Sequence, residues 1–441
     1  MYKAEDLIAL SEEQGVKFIN LQFTDVLGTP KNVAITVDQL PRALERGCMF
    51  DGSSIEGFVR IEESDMVLRP DPDTYTVLPW RQQGGRTARI ICDICKTDGS
   101  PFEGDPRHVL KRALKQAADM GFSFNVGPEC EFFLFQVDNN GVPTTITHDE
   151  AGYFDLAPID MGEEARRDIC LTLEEMGFEI EASHHECANG QHEIDFKYTD
   201  ALRAADNIIT FKAVVKTIAK RHGLYATFLP KPIYGIAGSG MHVNQSLFRD
   251  GQNAFFDAKD PFGLSPIACN YIAGLLSHIR GITAITNPLV NSYKRLVPGF
   301  EAPVYVAWAT KNRSPLIRIP AARGEGMRIE LRNPDPSCNP YLALSCMLTA
   351  GLDGIKHDMA PPASVERNIY AMTAQERSAL GIKALPESLK EALDSMMADG
   401  LVVSALGDHV VTKFLHAKQR EWEAYTTRVH QWELDQYLKV Y

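Results

Sequence analysis

The chain has 441 residues, 44% of them apolar and 23% charged, which is ordinary for a water-soluble protein able to bury the cores of a small and a large domain. A net charge of −13 argues against a nucleic-acid-binding surface, although small anionic substrates respond to local rather than net charge. No apolar run reaches transmembrane length, and acidic residues occupy MYKAEDLIALSEEQG where a signal peptide needs an apolar stretch, so a cytoplasmic protein without a membrane partner is expected.

In chain order, the first hundred residues hold short strand-like runs such as FINLQFTDV and YTVLPW, broken by Gly and Pro. The segment TDGSPFEGDP interrupts them, and a domain boundary is expected between Gly99 and Asp105, giving units 1–104 and 105–441. Asp105-Pro106 reads as an N-cap followed by Pro at the first helical position, and Val109, Leu110, Ala113, Leu114 and Ala117 follow at helical spacing up to Gly121. FSFNVGPECEFFLFQV reads as a strand, EEARRDICLTLEEMG as a helix and FEIEASHHE as a strand entering a hairpin. A long helix ends at Gly223, GMHVNQSLF and GMRIELR are strands, and the last hundred residues are largely helical. The pattern predicts an α+β fold rather than a doubly wound one. The pair Cys92 and Cys95 reads as structural, because residues three apart on a strand point to opposite faces.

Chemistry concentrates in four carboxylates. Glu129 and Glu131 are two apart on one strand face, about 7 Å between Cα atoms, inside an apolar segment. Asn189-Gly190 predicts a two-residue type I′ hairpin turn, which would set Glu186 directly opposite Glu193 with Cβ atoms about 5 Å apart. Buried carboxylates need counter-charge, and oxygen-rich sites suit Mg²⁺ or Mn²⁺. In KPIYGIAGSGMHVNQSLF, Gly238 and Gly240 allow close backbone approach, while His242, Asn244 and Ser246 share one strand face. Arg295, Arg313, Arg318, Arg323, Arg328 and Arg332 follow, with Arg328, Glu330 and Arg332 alternating. Carboxylates for divalent cations together with arginines are the equipment of metal-dependent phosphoryl transfer, with the substrate left open at this point.

Several motifs, in order, resemble the type I glutamine synthetase family: FDGSS (50–54), ESDMVL (63–68), KPIYGIAGSGMHVNQS, NRSPLIRIP, RIELRNPDP and NPYLALSCMLTAGLDGIK. The resemblance implies a small β-grasp domain, a large catalytic domain, and a homo-dodecamer of two hexameric rings with each site between neighbours. It implies ATP-dependent ligation of ammonium to L-glutamate through γ-glutamyl phosphate. One Mg²⁺ or Mn²⁺ would lie at Glu131, Glu186 and Glu193, and another at Glu129, His242 and Glu330. Arg295 would clamp the substrate α-carboxylate, with Gly238 and Arg332 nearby and Arg313 neutralising the transferred phosphoryl group. Glu181, Asn244, Ser246, Arg318 and Arg328 would lie by the nucleotide, and Tyr198 by the adenine. Asp51, from the adjacent subunit, would bind ammonium and take its proton, with Ser54 and Tyr153 completing that pocket, and Glu301 would ride on a covering flap.

Ala237 departs from the Asn of many members, Glu325 replaces a Lys of one subtype, and residues 380–389 lack that subtype's modified Tyr. With Arg60 in FVRIEESDM, these features resemble the subtype inhibited by glutamine and, in some members, contacted by nitrogen-responsive transcription regulators. The alternatives are a ligase of this fold using another amine, and a catalytically inert relative. Asp51 and Glu301 favour ammonia, and an intact ligand set favours activity.

Overall fold

The computed structural model describes residues 4–441 apart from residues 56, 58–64, 82–83 and 313, so Arg60 and Arg313 lie outside the described residues. Near the N-terminus, a six-stranded sheet is built in the order Pro30–Thr36, Val16–Thr24, Arg86–Cys95, Asp65–Pro70, Cys48–Asp51, with Thr76–Val77 added against Arg86–Cys95. Ile19, Leu21 and Phe23 alternate inward on Val16–Thr24, which pairs in parallel with Arg86–Cys95. A parallel pair needs a crossover, and the helix Leu40–Arg46 lies on the intervening chain, with Leu40 and Ala43 buried in the same core as Leu68, Ile90 and Ile94. Each such fully buried Leu or Ile contributes about 1.5–3 kcal/mol. This is the β-grasp unit.

The helix Pro106–Asp119 starts as expected, with Asp105 Oδ1 accepting from Arg107 N at 3.0 Å, while Asp105 Oδ2 accepts from Ile94 N in the first sheet at 3.0 Å. Arg107 ties the two sheets together. Its buried guanidinium donates to Asp71 Oδ2 and Asp93 Oδ1, each at 2.7 Å, and to both carboxylate oxygens of Asp206 on the helix Ala201–Arg221.

An eleven-stranded, mostly antiparallel sheet forms the large unit. Its path runs Trp308–Ala309, Ile317–Arg318, Ile329–Leu331, Met241–Arg249, Ser123–Val137, Gln191–Phe196, Ile180–His185. The central strand Ser123–Val137 sends Val126, Cys130, Phe132 and Leu134 into the main apolar core shared with Ala201–Arg221, Pro266–Thr286 and Pro340–Lys356. Glu129 and Glu131 leave the opposite face, as their spacing predicts. The chain ends in helices Leu389–Ala398, Gly400–Leu406, Asp408–Thr426 and Gln431–Tyr437.

The hairpin departs from its predicted register. His185 pairs with His192 and His184 with Glu193, then Glu186 N donates to Gln191 O at 2.8 Å and Gln191 N closes the turn on Ala188 O at 3.0 Å. Gly190 has φ +66°, whereas Asn189 is not in the left-handed region, so no type I′ turn forms. Contacts outside the hairpin decide this. Gly190 N donates to Asp149 Oδ1 at 2.9 Å, Gly190 O accepts from Leu134 N at 2.8 Å, and a Cβ there would stand 3.0 Å from Leu134 O. The ladder is therefore two residues out from the expected one. Glu186 is diagonal to Glu193 instead of opposite it, at roughly 7–8 Å. A slip of two keeps both carboxylates on one face, where a slip of one would have separated them.

Candidate active site

On the sheet face away from the helices, carboxylates line up across three strands. Glu131 pairs directly with Glu193, and Glu129 with Asp195. Like charges facing each other in this way are unfavourable. Burial, then the nearby Glu186 carboxylate, pushes the Glu131 carboxyl up to about 8. Burial, reinforced by Glu131 and Asp195, raises Glu193 well above the ordinary range, and burial with Glu129 raises Asp195 to about 7. Gly240 N and Gln191 Nε2 donate to Glu131 Oε2 at 3.0 and 2.9 Å, giving only partial relief. His184 stands between the hairpin carboxylates, with Nδ1 3.7 Å from Glu186 Oε1 and Nε2 3.9 Å from Glu193 Oε2.

The other end of the row is differently furnished. The register sets His242 beside Glu129, and Asn244 and Arg318 on either side of Glu330. His242 Nδ1 lies 3.3 Å from Glu129 Oε2 and 3.8 Å from Glu330 Oε1. Asn244 Nδ2 donates to Glu129 Oε1 at 2.8 Å, and Asn244 Oδ1 accepts from Arg328 Nε at 3.0 Å. Arg318 Nη1 donates to Glu330 Oε2 at 2.5 Å, and Arg332 Nη1 donates to Glu330 Oε1. Burial alone would raise the Glu129 carboxyl, but the hydrogen bond and charge of His242, with Asn244, hold it down to about 2.

Donor atoms of Glu129, His242 and Glu330 converge within 4.8 Å of one another, as do those of His184, Glu193 and Asp195. Two carboxylates with an imidazole fit a Mg²⁺ or Mn²⁺ ion at the first group. The expected set Glu131, Glu186 and Glu193 is assembled more loosely, because the register puts His184 rather than Glu186 opposite Glu193. Buried and crowded, Glu131 and Glu193 hold their protons above the ordinary carboxylate range, and the set still fits a hard cation, which would supply the counter-charge that Gln191 and Gly240 supply only in part.

Two cavities flank the row. One, of about 370 Å³, is bounded by Glu129, Glu181, Asp195, Tyr198, Asn244, Ser246, Glu325 and Arg328. Arg318 is absent from that lining and is engaged with Glu330 instead. The other, of about 30 Å³, is bounded by Glu131, Glu186, Cys187, Gly238, Arg295, Phe300, Glu301 and Arg332. Glu301 there has φ +60°, strained for a non-glycine residue. Glycine is required at 238 and 240, where a Cβ would meet Pro230 O at 2.2 Å and Arg295 Nη2 at 2.5 Å. Arg295 is buried and held by the carbonyls of Asn333, Pro334 and Arg332 at 2.8, 3.3 and 3.2 Å.

Three expected residues line neither cavity. Asp51 ends the edge strand Cys48–Asp51 of the first sheet, fully exposed, with Oδ1 accepting from Ser53 N at 2.8 Å; neither it nor Ser54 lines either cavity. Tyr153 is exposed, stacked on Phe154 at 4.0 Å, with its ring centroid 5.7 Å from that of His184. Sequence reasoning missed Asp195, His184 and Gln191. Asp195 repeats, with Glu193, the two-residue spacing that singled out Glu129 and Glu131, so the signal was present; His184 required the true register.

The family model for the glutamine synthetase β-grasp domain matches residues 15–97, and that for the glutamine synthetase catalytic domain matches residues 103–437. The glutamine synthetase of Clostridium saccharobutylicum is 65% identical over 440 residues, covering 100% of this chain and 99% of its own. Among solved structures, a GmaS/ADP complex aligns with TM-score 0.90 at 32% identity over 98% of this chain and 99% of its own. Plasmodium falciparum glutamine synthetase aligns with TM-score 0.88 at 26% identity over 99% of each chain.

Proposed function

Because the chain belongs to the glutamine synthetase family, it is an enzyme that ligates ammonia to L-glutamate, and we propose how its residues divide that work. The observation that carries the division is the row of facing carboxylates running between a roomy polar cavity and a small arginine-lined one. ATP occupies the larger cavity, its adenine beside Tyr198 and its polar groups near Glu181, Asn244, Ser246 and Arg328, with Arg318 acting from behind Glu330. Glutamate occupies the smaller one, its α-carboxylate on Arg295 and its backbone contact at Gly238. The γ-carboxylate oxygen then meets the γ-phosphorus in the row between them. ADP leaves, and γ-glutamyl phosphate remains.

Glu131, Glu186 and Glu193 hold one divalent cation and Glu129, His242 and Glu330 the other; when bound, they neutralise charge on the transferred phosphoryl group. Arg332 adds fixed positive charge there, and Arg313, outside the described residues, is assigned the same role from its motif. Glu301 closes over the acyl phosphate and excludes water. Asp51 of a neighbouring subunit, with Ser54 and Tyr153, binds ammonium and takes its proton. The ammonia nitrogen attacks the acyl carbon, the bond from that carbon to the phosphate oxygen breaks, and the surplus N–H proton leaves with the departing phosphate. The exposed position of Asp51, outside the lining of both cavities of its own chain, supports a shared site in a ring-stacked dodecamer, with residues 1–104 as the donating unit. Phosphate release from ATP and glutamate should depend on ammonium, and equal turnover with polyamines or ethanolamine would overturn this choice of nucleophile.

The subtype features extend the proposal to cytoplasmic nitrogen metabolism with glutamine feedback and contact with a transcription regulator. Arg60 holds the Asp51 loop in an inactive arrangement when glutamine occupies the substrate site, which requires differential affinity for two loop states. Arg60→Ala should weaken inhibition by glutamine at matched glutamate and Mg²⁺ while keeping synthesis. Overlaid inhibition curves would remove Arg60 from the control device.

A further inference from the structure

Behind the hairpin lies a buried polar cluster that the reaction does not use: His148, Asp149, Asp160, Arg166, His185 and His192. Its donors lie close enough to suggest a metal centre, but the chemistry is wrong for one. His192 Nδ1 accepts from Arg166 Nη1 at 2.9 Å, so the ring proton sits on Nε2, the atom that would have to ligate. Gly162 packs against both rings, where a Cβ would lie 2.7 Å from His192 Nε2 and 2.8 Å from His148 Nε2, so no larger residue fits there.

The centre of the cluster is the Asp149 carboxylate, with 1% of its side chain exposed. Oδ1 accepts from Gly190 N at 2.9 Å and lies 3.2 Å from His185 Nε2. Oδ2 accepts from Met161 N at 3.3 Å and lies 3.0 Å from His148 Nε2. These contacts belong to different pieces of chain. Gly190 closes the hairpin turn, and His185 Nδ1 donates to the Glu186 carbonyl at 2.7 Å. Met161 ends the loop that carries Tyr153, whose neighbour Phe154 donates its N–H to His185 O at 3.1 Å. Burying a carboxylate is unfavourable unless every lone pair is used, and an apolar side chain would fill the volume without that penalty.

We propose that Asp149 is a positioning residue that pins the hairpin turn and the Tyr153 loop to one point, and so sets where Glu186 and Tyr153 stand against the carboxylate row. This rests on the reading of Glu186 as a cation ligand and of Tyr153 as part of the ammonium pocket. Asp149 touches neither substrate nor cation. It acts through the observed hairpin, because Asp149 holds Gly190 N at the turn and His185 at the strand end.

The test uses the assembled full-length protein and the Asp149→Asn variant, which keeps the shape but turns one acceptor oxygen into a donor. Equilibrium Mn²⁺ binding, read from the electron paramagnetic resonance of free Mn²⁺, should show one of two binding events weakened by about 10–100-fold, the usual effect of removing an outer-shell partner. Half-activating Mg²⁺ and ammonium concentrations should rise, while kcat at saturating levels of both largely recovers. Glu186→Gln is measured alongside. If Glu186→Gln leaves both Mn²⁺ events intact, the ligand reading beneath the proposal fails. If Glu186→Gln removes one event but folded Asp149→Asn binds like wild type, with activity reduced only in proportion to lost folded protein, Asp149 is merely structural and the proposal is overturned. Should Asp149→Asn not assemble, Thr147→Val serves instead, because it deletes only the hydroxyl donated to the Asp149 carbonyl at 2.9 Å. A smaller weakening of the same Mn²⁺ event is then expected, and unchanged Mn²⁺ binding would overturn the proposal.

Discussion

The two ends of the carboxylate row share a sheet face and a residue type, yet solve the same electrostatic problem oppositely. At Glu129 and Glu330, protein cations and donors are built in: His242, Asn244, Arg318 and Arg332 all reach the carboxylates, and the Glu129 carboxyl is held at about 2. At Glu131 and Glu193, carboxylates face one another; burial raises both, reinforced by Glu186 at Glu131 and by Glu131 at Glu193. The furnished end keeps its geometry by internal pairing. The bare end holds repulsion that a bound cation relieves, which couples its cation affinity to proton loss and to folding stability.

The sharpest way to break this comparison is to delete one carboxylate from each end. Glu131→Ala and Glu330→Ala should both abolish synthesis, but their effects on the metal-free protein should have opposite sign. Glu330 is completely buried between two arginines, so its loss strands buried positive charge and should destabilise by about 3–5 kcal/mol. Glu131→Ala or Glu193→Ala removes repulsion and should leave metal-free stability equal or higher, within an assembled particle. Both classes should lose part of the Mg²⁺-dependent stabilisation, which for wild type at a hundredfold excess over Kd is about 2.7 kcal/mol. Thermal unfolding with and without Mg²⁺, beside phosphate release, measures all of this. Ordinary turnover in Glu131→Ala, or equal destabilisation in the two classes, would end the distinction.

A second test asks whether the bare end is completed from outside its own chain. Asp51→Ala subunits and Glu131→Ala subunits should each be inactive. Dissociated, mixed and reassembled, they should regain part of wild-type activity, because some interfaces would join an intact edge strand to an intact carboxylate row. Verified mixed oligomers with no recovery would place Asp51 outside the site.

How far the sequence foretold this contrast depends on range. The one-face spacing of Glu129 and Glu131, the strand carrying His242, Asn244 and Ser246, and the capped start at Asp105-Pro106 are local periodicities, and they appear as read. The hairpin register was misread because Asn-Gly is a local preference, whereas Asp149 and Leu134, distant in sequence, hold Gly190. Arg318, expected by the nucleotide from its motif, meets Glu330 across the strand pair, a contact the motif alone does not show. Local reasoning found which side chains share a face, and tertiary hydrogen bonds decided which pairs meet.

A gentler probe lies at the furnished end. Asn244 bridges Glu129 to Arg328 and lines the larger cavity. Asn244→Ala should weaken one Mn²⁺ event about 10–100-fold and raise the ATP KM, without the stability loss of Glu330→Ala. A changed ATP KM with intact Mn²⁺ binding would restrict Asn244 to the nucleotide alone.

The smallest effect is in pH, and its sign follows from the two ends. In the metal-free protein the Glu131 carboxyl is raised to about 8, while in the unfolded chain a Glu titrates at about 4.3. Between those values the folded state holds a proton that the unfolded chain has lost. Metal-free stability attributable to this group is therefore full below the unfolded value and declines as pH rises toward 8. A cation at the bare end must displace that proton, so apparent affinity there should climb with pH by up to about tenfold per unit per proton released. Glu129 is already ionised and His242 is held below its usual value by burial and Arg332, so the furnished end should bind with little pH dependence near neutrality. Mn²⁺ titrations at about pH 6, 7, 8 and 9 should accordingly show one binding event moving and one standing still. Two events moving in parallel, or neither moving, would mean that the two ends do not differ in the way their partners indicate.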